Sequence, residues 1–230
     1  FSGGVLAFGG GDTLVNVNGK ISVDGGTFGA LAMSTGGNAT VNVEAEIDPP
    51  LIGAATVTIG PGTATTNVNA LIQAHEVGAL AANFGTGDVV INTTVNGQIQ
   101  SDGIGLLAVN LGPGDTTVTA RAAIGGLTGA QAEDCIVVFI AVDGDGSGST
   151  TNAATINAIN DGVSFAKGGD GNVNVTTRGR IDAGDDGIQI VRAIGDGNDT
   201  VNSFGRIVAG DDGINVNRHL GDGDVSVSAL

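Results

Sequence analysis

Carboxylates at a regular spacing are the residues of this chain best suited to chemistry. Asp145, Asp170, Asp196 and Asp222 each stand at the centre of a Gly-Asp-Gly tripeptide, and successive copies lie 25 or 26 residues apart. Asp161, Asp186 and Asp212 keep the same steps, and the hexapeptide from Ala183 to Ile188 recurs unchanged from Ala209 to Ile214. Carboxylates stacked at ~5 Å, one repeat above another, repel unless solvent, counter-ions or a bound cation screens them. Oxygen-rich turns of this kind suit Ca²⁺, and the candidate ligands are Asp145, Asp170, Asp196, Asp199, Asp222, Asp185, Asp186, Asp211 and Asp212. The competing explanation is structural, since Asp beside Gly fits exposed turns. No cofactor other than calcium is expected.

Other chemistry is sparse. Cys135 is the single cysteine, which rules out an intrachain disulfide and a cysteine-based zinc cluster. With no histidine near it in sequence, it reads as a buried, inert thiol rather than a nucleophile. His75 and His219 are far apart, and no Ser, His and Asp set stands out. Arg178, Arg180, Arg192, Arg206 and Arg218 share the C-terminal repeats with the aspartates and are expected to pair with them at the surface, where each pair contributes little. Paired carboxylates of the kind used on polysaccharides arise by chance in so acidic a chain. Sugar subsites also favour aromatic platforms, and the chain has no Tyr or Trp and only 7 Phe. The expectation is a protein that is not an enzyme.

The elements that position these residues follow from a repeat marked by three landmarks in fixed order. The first is a Gly-x-Gly turn, at Gly60, Gly85, Gly112, Gly144, Gly169, Gly195 and Gly221. The second is an isoleucine, at Ile21, Ile47, Ile72, Ile99, Ile124, Ile156, Ile181 and Ile207. The third is a Gly before an aliphatic residue, as at Gly78, Gly103, Gly162, Gly187 and Gly213. Between them run alternating segments such as Val41-Asn42-Val43 and Val173-Asn174-Val175, whose period of two sets valines on one face. Three short strands and three glycine-rich bends in each 25 to 26 residues make one triangular coil. A coil buries its inner face only by stacking on its copies. The fold expected is therefore all-β, a right-handed parallel β-helix of about 8 to 9 coils forming a single domain over residues 1–230.

Both landmark series share one long step, which places an insertion loop within residues 125–143, most of it between Gly125 and Glu133. Such loops are where binding functions tend to reside, although a solenoid tolerates neutral ones.

Composition narrows the class of partner. The net charge is −16, with 24 acidic residues against 8 basic ones, so nucleic acid is not an expected partner. The longest apolar stretch, Ile136 to Val142, is far short of the ~20 residues of a membrane helix, so no membrane insertion by this segment is expected.

With the repeat laid out, the segment GDGNDTVNSFGRIVAGDDGINV, residues 195 to 216, resembles the coils of bacterial autotransporter passenger domains and related surface-displayed β-helical adhesins. The resemblance covers nearly the whole chain. It implies an extracellular location on a bacterial surface and a structural or adhesive rod, processed or cut from a longer one. The partners it implies are a host or neighbouring-cell surface, or other copies of the chain. The alternative function is a filament subunit joined end to end through uncapped coils. The stretch Gly195 to Val201 also resembles half of the nonapeptide calcium turn of RTX proteins, although here the turn occurs once per coil.

Overall fold

The structure, a computed structural model, describes residues 3–23, 25–48, 50–141 and 145–230. Its strands form three parallel sheets of nine, nine and eight strands, and neighbours within a sheet are always one coil apart in the chain. The first sheet runs from Gly3–Gly9 and Phe28–Ser34 to Ile214–Arg218, the second from Thr13–Val17 to Val225–Ala229, and the third from Ile21–Ser22 to Ile207–Val208. This is a parallel β-solenoid with three strands per coil. Among the described residues the only helix is the 3-10 turn Leu127–Gly129.

The isoleucine landmark is the inner row of the third sheet. Ile21 pairs with Ile47, Ile47 with Ile72, Ile72 with Ile99 and Ile99 with Ile124, and the row continues through Ile156 and Ile181 to Ile207. Ile47, Ile72, Ile99, Ile156 and Ile181 have no solvent exposure. The valines of the alternating segments form the facing inner rows of the second sheet.

These isoleucines also explain the third landmark. At the corner between the third and first sheets, a Cβ at Gly78 would fall on the Ile99 methyl Cγ2 and close to the Gly105 carbonyl oxygen. Gly29, Gly53, Gly105, Gly162 and Gly187 face the same collision with their own isoleucines. The row member on the fifth strand of the first sheet is thus Gly105 and not Gly103. Cys135 occupies the equivalent position in the next strand.

The inserted residues fall in two places. Ile99 pairs with Ile124 and Ile104 with Asp134, so the bend between the third and first sheets lengthens from five residues to ten. The extra chain forms the 3-10 turn and returns through Ala132, which bridges to Ala158. Asn110 pairs with Ile140 and Thr116 with Gly148, so the spacing across the next bend lengthens from six positions to eight. Val142 and Asp143 of that bend, with Gly144 of the Gly-x-Gly turn, lie outside the described residues.

Candidate functional site

The aspartate ladders are part of the scaffold. Asp170 N–H donates to Asp145 Oδ1 at 3.4 Å, Asp196 N–H to Asp170 Oδ1 at 3.0 Å and Asp222 N–H to Asp196 Oδ1 at 2.9 Å. Asp134, Asp161 and Asp186 do the same for the backbone of Asp161, Asp186 and Asp212, at 3.1, 3.3 and 3.1 Å. Each carboxylate thus satisfies a turn N–H that the sheet ladders do not reach. The arrangement has a cost: burial raises the Asp161 carboxyl above its usual range, with Asp134 and Asp186 adding to the rise and the Asp186 N–H opposing it.

Among the described residues one group of carboxylates converges, Asp185, Asp186 and Asp211, whose oxygens lie within 4.8 Å of one another. Asp186 already accepts hydrogen bonds on both oxygens, from Asp212 N–H and from the amides of Gln189 and Asn215. Asp145, Asp170, Asp196 and Asp222 stand in a separate row, and Asp212 continues the row of Asp186.

Asp199 is placed with neither group. Its side chain is fully buried and paired with Arg192, whose Nε lies 3.1 Å from both carboxylate oxygens, and with Arg218 Nη1 at 3.1 Å. The surface pairing expected for Arg192 and Arg218 is therefore corrected: Arg192 is wholly inside and Arg218 nearly so. Arg180 does pair at the surface with Asp182, at 2.7 Å, and Arg178 lies 5.5 Å above the Phe204 ring.

The two buried arginines belong to a row with a common task. The strands of the first sheet end in Ser34, Thr58, Asn83, Asn110, Ile140, Lys167, Arg192 and Arg218, all in register. Asn83 Nδ2 donates to Gly62 O at 2.8 Å, and Asn83 Oδ1 accepts from Gly85 N–H at 2.7 Å. Lys167 Nζ donates to Gly146 O, Arg192 to Gly169 O and Gly171 O, and Arg218 to Gly195 O and Gly197 O, all at 2.8 to 3.0 Å. The row grips the Gly-x-Gly turns from inside. Burial, and then the Arg192 charge beside it, pulls Lys167 down to about 8. A signal was present in the sequence, because a polar residue stands two or three places before the turn glycine in nearly every coil.

The feature that sequence reasoning missed is on the outside. In the first sheet the outward residues are apolar on six successive strands. One row runs Leu6, Leu31, Ala55, Leu80, Leu107, Val137 and the next Phe8, Met33, Val57, Ala82, Val109, Phe139. Ile52, Val77 and Ile104 extend the face on one side and Ile59, Phe84 and Leu111 on the other. Phe8, Phe84 and Phe139 are 66%, 53% and 42% exposed, whereas Leu31, Ala55 and Ala82 of the same rows are buried between larger neighbours. Leu6, Phe8, Leu31 and Met33 line an apolar groove at one end.

Apart from Asp134 at its margin, this face carries no charge, in a chain of net charge −16. The first row turns polar at Ser164, Gln189 and Asn215, whereas the second continues through Ala166 and Val191 before it reaches Asn217. A parallel strand that is apolar on both faces is characteristic of a sheet covered on both sides, and an apolar patch of this size on a soluble domain marks an interaction surface. Its sequence signal is unbroken apolar runs such as Ile104 to Val109, where alternation fails.

The second sheet contrasts with it. Its outer row of Asn16, Asn42, Asn67 and Asn92 is an amide ladder, each Nδ2 donating to the Oδ1 of the preceding coil. Cys135 is buried and free, and burial pushes its thiol up to about 12, which leaves it protonated and inert. His75 Nδ1 lies 3.6 Å from Asp102 at the surface.

Fold and site together define a parallel β-solenoid with one apolar outer wall. Comparison with protein-family models, with curated proteins and with solved structures finds no match.

Proposed function

We propose that this chain is a structural and adhesive β-helical rod displayed outside the cell, with the outer wall of the first sheet as its adhesive surface. The observation that carries the reading is that wall: an apolar face across six strands, on a molecule whose charges sit elsewhere apart from Asp134 at the margin. The aspartates support it, because Asp170, Asp186 and Asp196 each accept from a turn N–H of the scaffold. Display at a bacterial surface is supported by the resemblance of residues 195–216 to autotransporter passenger coils.

The test is attachment of beads carrying the purified chain to bacterial cells, to cultured epithelial cells and to an uncharged alkyl surface. Beads carrying Leu80→Asp/Leu107→Asp run in parallel. The reading predicts that wild-type beads attach and variant beads do not, at equal melting temperature. Equal attachment of both, or of neither, defeats it.

A further inference from the structure

We infer that two copies of this chain pack face to face through the outer wall of the first sheet. The inference deepens the adhesive reading by naming the partner, and rests on it only in using the same surface.

Three observations select a second copy over other occupants. The first is area. Six strands at ~4.8 Å spacing and eight residues at ~3.3 Å give a face of roughly 700 Å² in projection. A stable interface takes about 800 Å² from each partner, so two such walls cover one another at close to the usual size.

The second is charge. Copies carrying −16 each repel wherever their aspartate-bearing turns approach. The outer faces of the first and second sheets are the two large surfaces where copies meet without bringing charge to charge, and of these only the six-strand wall is apolar, the second sheet presenting Thr, Ser and Asn. An anionic lipid surface is disfavoured by the same charge.

The third is spacing. Outward side chains repeat once per coil along parallel rows, with small residues at Ala55 and Ala82 beside large ones at Leu80, Leu107 and Phe139. A surface with the same row spacing interdigitates with these ridges along their whole length, and a second copy has that spacing by construction. A two-fold axis lying in the plane of the wall, perpendicular to the rod, joins identical patches and closes the assembly at a dimer. The rods then lie antiparallel, with their polar-walled coils projecting at opposite ends.

Sedimentation velocity on the full chain tests this. The expected result is a dimer at micromolar concentration that Leu80→Asp/Leu107→Asp weakens at least tenfold with the melting temperature unchanged. Thr65→Asp/Thr117→Asp, on the outer face of the second sheet, leaves it intact. If the aspartate variant fails to fold, Leu80→Thr/Leu107→Thr keeps strand propensity and is expected to weaken the dimer in the same direction.

A chain that stays monomeric throughout overturns the inference. So does a dimer that survives both wall variants, which places the contact elsewhere, such as the terminal coils. A monomer that co-sediments with phosphatidylcholine vesicles through the wall assigns the surface to lipid. If the chain is monomeric but its beads attach to cells in a wall-dependent way, the copy is wrong and the adhesive reading stands. A wall-dependent dimer whose beads attach to nothing but each other gives the reverse.

Discussion

Arg192 and Asp199 form an ion pair with neither side chain touching solvent, inside a core built mainly of isoleucine, valine and alanine. Asp199 sits in an inner row between Val173 and Val225, so apolar residues occupy the same position one coil to either side. Desolvating two charges offsets much of their attraction, but removing one partner leaves the other buried and unpaired.

Asp199→Val is therefore expected to destabilise the rod by about 3–5 kcal/mol, although it matches its row neighbours. Arg192 and Arg218 both lose their counter-charge. Urea unfolding of the variant measures the loss, and a change below ~1 kcal/mol contradicts the pairing.

Lys167 gives the rod a pH dependence in the alkaline range. Its folded value is lowered to about 8 from the ordinary lysine value of 10.5, so the unfolded chain binds the proton more tightly. The charged form penalises the fold fully below pH ~8, and the penalty is relieved as pH rises toward 10.5. Melting temperature is expected to rise across that window, by on the order of 2 kcal/mol in stability. Lys167→Met abolishes the rise. A wild-type curve that falls over the same range excludes this assignment.

Gly148 and Phe165 fill one space between them. Gly148 lies in an inner row between Thr116 and Val173, and a Cβ there would press on the Phe165 ring and on Ile140 Cδ1. Phe165 is the large member of a row that continues to Val138 and Ile190. Gly148→Val is expected to cost about 1–3 kcal/mol by overpacking. Phe165→Ile alone leaves a cavity, and the double variant recovers part of both losses, with a coupling of roughly 1–3 kcal/mol. Additive losses in a double-mutant cycle contradict the shared volume.

Asp196 separates the hydrogen bond of an aspartate ladder from its charge. Asn172 Oδ1 accepts from Asn198 N–H at 2.9 Å, the same service that Asp196 renders to Asp222 N–H at 2.9 Å. Asp196→Asn is expected to keep the bond, relieve repulsion from Asp170 and Asp222, and gain up to ~0.5 kcal/mol at low salt. The gain disappears at high salt. Asp196→Ala loses about 1 kcal/mol at either. Millimolar Ca²⁺ and its chelation are expected to leave the melting temperature unchanged; a rise that Asp186→Asn removes restores the cation.

The period, the three strands per coil and the isoleucine row were legible in the sequence because a solenoid repeats its packing constraints once per turn. Ile47, Ile72 and Ile99 recur because each must meet the same two neighbours, and Gly53, Gly78 and Gly105 recur because those isoleucines leave no room for a Cβ. Arg192 and Lys167 were not read as inner residues. A cation at a strand end ordinarily reads as solvated, and the polar residue before the turn glycine gained its meaning only from the register that sets them in one row with Asn83 and Asn110. The outer wall escaped for a related reason. Leu107 and Val137 face outward from strands whose inward residues are also apolar, so no alternation separates the two faces.

The turn ladders point one way. At Asp12 and Asn38, at Asp88 and Asp115, and at Asp196 and Asp222, the accepting side chain belongs to the earlier coil and the donating N–H to the later. A coil laid on the C-terminal side of its predecessor meets acceptors already fixed in place, whereas one approaching from the N-terminal side must bring its own. The rod is in this respect a vector, and its turns favour closure in the order in which a ribosome delivers them.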